Sequence, residues 1–248
     1  MAVAATKQED KLIQFPGSPV KVVVHKSHKQ MKTSSLYKED GVRKAAPADP
    51  LRSKDEFQKI VDYLANNGRK GNRLRNKTLF ILGCMTGLRC GDVLNLHVAD
   101  VYKSPTEVKS HIELIEEKTF KRNVCKIPQA AQDALMEYAA VINPDVEKNP
   151  PLFISEQGTQ LSLKSVYRIL NDAGKACGLD LNIGTHTMRK TYAHTALVSA
   201  EKNGTAGKTL EMLQMKLNHS DARITMRYCK AAQDKIDEMS DSVSDWLR

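Results

Sequence analysis

The chain has 248 residues, 41% of them hydrophobic, which suits one packed domain of generous size or one domain with a small appendage. Thirty-eight Lys and Arg against 29 Asp and Glu leave a net charge of +9, a balance that favours an anionic partner, nucleic acid being the commonest. Five cysteines, odd in number and without C-x-x-C spacing, argue against a disulfide framework and a cysteine zinc site, and without any apolar run near ~18 residues no membrane span is expected.

The first ten residues, Met1 to Asp10, lack a charged stretch followed by an apolar run, so no secretory leader is read there. An intracellular, reduced, cytoplasmic protein is expected. Residues 1–50 carry Lys21, Lys26, Lys29, Lys32, Lys38, Arg43 and Lys44 but few large apolar residues. Val20 to Val24 reads as a strand; the rest reads as a basic arm or linker, partly disordered, closing at Ala45-Ala46-Pro47-Ala48-Asp49-Pro50. His25 and His28 lie three apart, yet no carboxylate or thiol beside them completes a metal site.

Folded character begins at Ser53. Ser53-Lys54-Asp55-Glu56 is a capping box before the apolar positions Phe57, Ile60, Val61 and Leu64, so a helix runs to about Ala65 and ends at Asn67-Gly68. A second helix spans about Asn72 to Met85, with Leu74, Thr78, Leu79, Ile81 and Leu82 toward a core. Gly87 breaks it, and a short helix carries Asp92, Val93 and Leu94. Val98–Tyr102, His111–Glu117 and Thr119–Ile127 read as three short strands, with Ile112, Leu114, Val124 and Ile127 alternating against polar residues. Helices follow at about 129–142, 162–176, 187–200, 205–217 and 221–231, the last able to continue toward residue 240. The expected fold class is α+β, mainly α-helical, with a small antiparallel three-stranded sheet. Cys84 and Cys177 fall in helical apolar patterns and are expected as core thiols. Gly204 to Thr209 ends like a phosphate-binding loop, but Lys202 stands where its leading glycine belongs and no apolar strand precedes it.

Five residues stand out by type and order: Arg89, then His186 and Arg189, then His219 and Tyr228. A phosphodiester repels nucleophiles, and its cleavage gathers charge on the equatorial oxygens. Guanidiniums, planar and never deprotonated, suit those oxygens, which makes Arg89 and Arg189 candidates. Asp92, three residues after Arg89 on a short helix, either orients that guanidinium or simply complements a helix N-terminus, and the two roles are compatible. Tyr228 is the candidate nucleophile. A phenol, with an ordinary pKa near ~10, needs a proton acceptor or a strongly positive site, and His186 or His219 supplies either.

Thr86-Gly87-Leu88-Arg89, His186-Thr187-Met188-Arg189 and Leu217-Asn218-His219-Ser220 with Thr225-Met226-Arg227-Tyr228 together resemble the tyrosine recombinase family of phage integrases, transposon integrases and DNA invertases. His219 and Tyr228 are nine residues apart, as in the family, and the strand-rich stretch falls where the family has it. The resemblance covers about residues 50–235. It implies a catalytic domain over 51–235, with 1–50 as a basic arm or linker. It further implies site-specific recombination of double-stranded DNA through a 3′-phosphotyrosyl bond at Tyr228 and a free 5′-hydroxyl, with no metal, ATP or other cofactor. The family's lysine on a β-turn, which protonates the leaving oxygen, corresponds to Lys118, with Lys121 in reserve. Lys121 and Arg122 are expected to contact DNA. The resemblance also implies a homo-tetramer on DNA from chains monomeric in solution, nucleoid-associated in a prokaryotic host. In the family, segments like residues 236–248, with Val243, Trp246 and Leu247, dock on a neighbouring protomer.

Three departures are visible. Asn218 replaces the glycine usual before the histidine, though asparagine tolerates the left-handed conformation. The stretch from Arg189 to His219 is longer than typical, with Asn203, Gly204 and Gly207 marking the extra loop. Fifty residues with one strand cannot form the helical DNA clamp of about a hundred residues that many members carry ahead of the catalytic domain. The chain therefore reads as a minimal recombinase or as one separated from its clamp. A type IB-like topoisomerase and an inactive DNA-binding regulator of the same fold remain the alternatives.

Overall fold

The structure, a computed structural model, describes residues 47–219 and 221–228 together with the strands β1 (Lys11–Ile13) and β2 (Val22–Val24). The chain divides into two compact units, residues 1–45 and 46–248. In the first, β1 and β2 pair antiparallel, so the expected valine strand has a partner that the sequence did not suggest. The rest of the expected basic arm, the continuation of the last helix toward residue 240 and the docking tail 236–248 lie outside the described residues.

In the second unit, α1 (Lys54–Asn66) starts at the capping box read from the sequence: Ser53 Oγ accepts from the Glu56 N–H at 3.1 Å, and Glu56 Oε2 accepts from the Ser53 N–H at 3.3 Å. The central helix is α2 (Lys70–Thr86), which packs against α1, α5 (Gln129–Ile142) and α7 (Thr187–Lys202). Its second half is apolar on every side, with Leu79, Phe80, Ile81, Leu82 and Cys84 all buried, as a helix surrounded by neighbours requires. Cys84 is a core thiol as expected; Cys177 is only half-buried, at the C-terminus of α6 (Leu163–Ala176), where its thiol donates to the Lys59 carbonyl.

Gly87 ends α2 with φ +65, and a Cβ there would lie 2.5 Å from the Tyr192 ring of α7. At Gly83, one turn earlier, a Cβ would lie 2.5 Å from Met188 Sδ. Two glycines thus let α7 approach the end of α2, and that approach carries Arg189 to the segment holding Arg89.

After α3 (Cys90–Leu94), residues Val98–Val101 form one helical turn, α4, where a strand is expected from the valines. Asp100 Oδ2 accepts from the His97 N–H at 2.7 Å, and this local turn displaces extended structure. The strand begins at Tyr102: β3 (Tyr102–Ser104) pairs with β4 (Glu107–Val108), and β5 (His111–Ile115) pairs with β6 (Arg122–Lys126). The small antiparallel component is therefore two separate hairpins rather than one three-stranded sheet. The mainly helical α+β class stands.

α8 (Ala206–Lys216) and α9 (Ala222–Tyr228) complete the described chain. Ala193, Leu197, Leu213 and Leu217 form a small cluster separate from the main core, with Tyr192, Met226 and Tyr228 packed on it. No helix among the described residues is long and apolar enough to cross a membrane.

Gly178 is also left-handed, at φ +64, but a Cβ there would meet nothing within 4 Å. Gly178→Ala is therefore expected to cost about 1 kcal/mol. Gly87→Ala should cost at least about 2 kcal/mol, because the Tyr192 clash adds to the backbone strain. Denaturant unfolding of both variants separates the effects; equal losses would mean that Tyr192 moves aside freely.

Candidate active site

The site is assembled from the ends of secondary elements. Arg89 precedes α3, His186 precedes α7 and Arg189 lies in its first turn; the β5–β6 turn carries Lys118, and α9 carries Tyr228. Arg89, Gly91, Asp92, Lys118, Leu163 and His186 line one cleft of about 190 Å³. A larger cleft of about 670 Å³, lined by Phe57, Met85, Tyr192 and Val198 among others, touches none of the candidate residues, and its size has no bearing on the chemistry.

A residue not singled out in the sequence holds the site together. Glu116, fully buried, follows β5 and lies on the same face as Ile112. Its Oε2 accepts from Arg89 Nη1 at 2.6 Å, Thr119 Oγ1 at 2.5 Å and Asn218 Nδ2 at 2.8 Å, and its Oε1 accepts from Asn123 Nδ2 at 2.9 Å. Burial alone would raise this carboxyl, but the hydrogen bonds from Thr119, Arg89 and Asn123 and the charge of Arg89 hold it down at about 2. Asp92 is further from the guanidinium: its Oδ2 lies 3.8 Å from Arg89 Nη1, while its Oδ1 accepts from the Glu117 N–H at 3.0 Å. Asp92 thus anchors the turn bearing Lys118, and Glu116 makes the close contact to Arg89. Burial pushes the Asp92 carboxyl up, with the Glu117 N–H pulling against it.

Arg189 is 3% exposed. Its Nη1 donates to the Gly87 carbonyl at 2.8 Å and its Nη2 to the Leu217 carbonyl at 2.9 Å. Those carbonyls close α2 and α8, so one cation neutralises the negative ends of two helices. A guanidinium carries more donors than these two bonds use.

Asn218 adopts φ +50, the left-handed conformation its residue type tolerates. His219 follows, with Nδ1 3.0 Å from Thr225 Oγ1 and its ring edge-on to Tyr228, centroids 5.1 Å apart. Burial, then the charges of Arg189 and Arg89, hold the His219 imidazole below its ordinary value. His186 is lowered too, by partial burial and then by Lys190, Arg189, Lys118 and Arg89. Both rings are thus biased toward the neutral form.

Lys118 and Lys121 are exposed on the turn. Arg122 is exposed too, but its Nε donates to Glu113 Oε1 across the hairpin at 2.6 Å. Among the described residues no cluster of His, Cys, Asp and Glu could hold a metal ion.

Glu116 was readable in principle. Ile112, Leu114 and Glu116 alternate along one strand, so an acid pointing inward must find a cation. Lys190 gives a weaker signal in the sequence, its spacing from His186 putting both on one helix face.

The model of the phage integrase family matches residues 52–235. The chain is 35% identical over 186 residues to a Bacillus subtilis protein described as "Probable integrase/recombinase YoeC", covering 75% of this chain and 91% of that protein. It is 29% identical over 168 residues to the tyrosine recombinase XerD of Corynebacterium glutamicum, covering 67% of this chain but 51% of that protein. The chain thus spans about half the length of the Xer relatives it matches. Among solved structures, its fold is similar to XerA recombinase, with a TM-score of 0.57, 21% identity and coverage of 79% of this chain and 65% of that one. It is similar too to XerH bound to a palindromic difH substrate, with a TM-score of 0.59, 20% identity and coverage of 81% and 54%.

Glu116 supplies a test of the network. Its folded carboxyl lies well below the ordinary 4.5, so its ionised form stabilises the fold above that value. The contribution fades as pH falls from 4.5 toward about 2. Glu116→Gln is expected to cost about 3 kcal/mol near pH 7 and to flatten the stability profile across that acid window. Unfolding by denaturant as a function of pH reads both; a variant with the wild-type acid slope would show that Glu116 is not the group held down.

Proposed function

Because the chain belongs to the phage integrase family, we propose that it is a site-specific recombinase that cleaves and rejoins double-stranded DNA through a 3′-phosphotyrosyl intermediate at Tyr228. The observation that supports this reading most is that Arg189 links a cation-lined cleft to the candidate phenol. Arg89, Lys118 and His186 line one cleft, while Arg189 lies within electrostatic reach of Arg89, Tyr228 and both histidines.

In the proposed step, Tyr228 Oη bonds to phosphorus and the bond from phosphorus to O5′ breaks. The phenol proton passes to an imidazole. His219 is suited to receive it, being edge-on to the ring and biased toward the neutral form. The departing 5′ oxygen takes a proton from Lys118. Arg89 and Arg189 hold the equatorial oxygens, and because Glu116 and the helix-end carbonyls fix them beforehand, little reorganisation is needed as charge develops. The covalent bond conserves the free energy of the phosphodiester, so a 5′-hydroxyl of another strand reverses the step without ATP or a metal. Exchange between duplexes requires several protomers, and a homo-tetramer on DNA is the assembly proposed. Lys121 supplies a phosphate contact beside Lys118, and Arg122 another once it exchanges Glu113 for DNA. Action on chromosomal or phage DNA would place the protein in the cytoplasm at the nucleoid.

Covalent trapping tests the reading. Wild type and Tyr228→Phe are incubated, without metal or ATP, with nicked suicide duplexes carrying sequences that flank the gene. A denaturation-resistant adduct is expected with wild type alone, with DNA affinity nearly equal in the two proteins. An adduct with Tyr228→Phe would remove Tyr228 as nucleophile, and religation confined to the same strand would point to a topoisomerase.

Binding to duplex DNA should weaken steeply and log-linearly with salt as Lys and Arg release counterions. An affinity flat across the salt series would remove the DNA reading.

A further inference from the structure

Lys190 follows Arg189 in the first turn of α7 and is 8% exposed, so its ammonium is held away from water. Such burial is costly unless the charge finds partners. Two are present. Nζ donates to the Ala48 carbonyl at 2.8 Å, and the same Nζ sits 5.1 Å from the centroid of the Tyr228 ring. The first contact belongs to a docked strap. Thr191 Oγ1 accepts from the Leu51 N–H at 2.9 Å, and Asp49 Oδ2 accepts from the Asn182 N–H at 2.9 Å. The ammonium is thereby fixed against the nucleophile's helix rather than left to wander on a flexible stem.

Other charged groups also face Tyr228. Arg189 lies within electrostatic reach of it, but its guanidinium is tied to the Gly87 and Leu217 carbonyls. His219, on the segment between α8 and α9, meets the ring edge-on and is biased toward the neutral imidazole. His219 is therefore equipped to accept a proton but contributes little fixed positive charge. Lys190 contributes that charge beside the ring.

We propose that Lys190 is a positioning residue for Tyr228: its buried ammonium, anchored on the Ala48 carbonyl, holds the phenol ring in place and favours ionisation of its hydroxyl. A cation against an aromatic ring restrains the ring, and a positive charge near a phenol stabilises the phenolate more than the neutral form. Lys190 neither gives nor takes a proton in this role and stays protonated throughout. The inference rests on Tyr228 being the nucleophile of the proposed reaction, but its physical content, a shifted phenol, exists without DNA.

The test is a direct titration of the full chain in the absence of DNA. Protein labelled with carbon-13 at tyrosine Cζ is followed by NMR against pH, and the Tyr228 resonance is assigned by its loss in Tyr228→Phe. In Lys190→Met, which keeps the length and removes the charge, the Tyr228 midpoint is expected to rise by about one pH unit or more. In Lys190→Arg, which keeps the charge, it should stay near wild type. If Lys190→Met fails to fold, Lys190→Gln, which removes the charge but keeps a polar donor, carries the same comparison. A Tyr228 midpoint equal in wild type and in the folded neutral variant would overturn the proposal. The covalent trap then separates the two readings. A wild-type adduct at Tyr228 with an unshifted midpoint rejects the role of Lys190 alone. An adduct on another residue rejects the nucleophile, and the role of Lys190 falls with it.

Discussion

A buried carboxylate must be matched by donors, and the one at Glu116 is matched by four groups from three parts of the chain. Arg89 comes from the junction of α2 and α3, Thr119 and Asn123 from the β5–β6 hairpin, and Asn218 from the turn between α8 and α9. Each brings a candidate catalytic group with it. The guanidinium of Arg89 is oriented directly, Lys118 sits on the turn that Thr119 pins, and His219 follows the left-handed Asn218. Leaving this anion unpaired would cost far more than any single surface interaction contributes, so the parts are driven to one arrangement.

Arg189 is the second such constraint, with the opposite sign. Its guanidinium is buried against two helix-end carbonyls, so the residue proposed to meet phosphate also ties α2 to α8. Truncating it would disturb the fold as well as the chemistry. The small cluster of α7, α8 and α9 carries Tyr228 apart from the main core. An element held by fewer apolar contacts opens at lower free energy, which suits a nucleophile that must adjust to a substrate. Both histidines carry causes that push them toward neutrality, and the same cations that do so would attract a phosphate.

Much of this was legible in the sequence, for reasons that differ by residue. The helices Gln129–Ile142 and Leu163–Ala176 lie where they are expected, at about 129–142 and 162–176. Val98–Val101 departs from the expected strand: β-branched residues suggest extended structure, whereas Asp100 capping the His97 N–H decides for a helical turn. The three-stranded sheet became two hairpins because strand pairing depends on tertiary register, which alternation along a strand leaves open. Five candidate residues, Arg89, His186, Arg189, His219 and Tyr228, stand out because phosphoryl chemistry calls for particular side chains, whereas Lys118 follows only from the family resemblance. Glu116 and Lys190 do not, since a group that orients others is recognised only by what it touches. Asn218 is intermediate: its left-handed turn was readable, its bond to Glu116 was not.

The most direct measurement is to locate the covalent bond itself. The wild-type adduct on a nicked duplex is digested with nuclease and protease, and the peptide that retains a nucleotide is sequenced by mass spectrometry. The expected result is a single modified residue, Tyr228, linked to a 3′-phosphate. A nucleotide on another tyrosine, such as Tyr167, half-exposed and packed on Gly184 near the His186 segment, or on a 5′-phosphate, would contradict the assignment of the nucleophile and of the reaction.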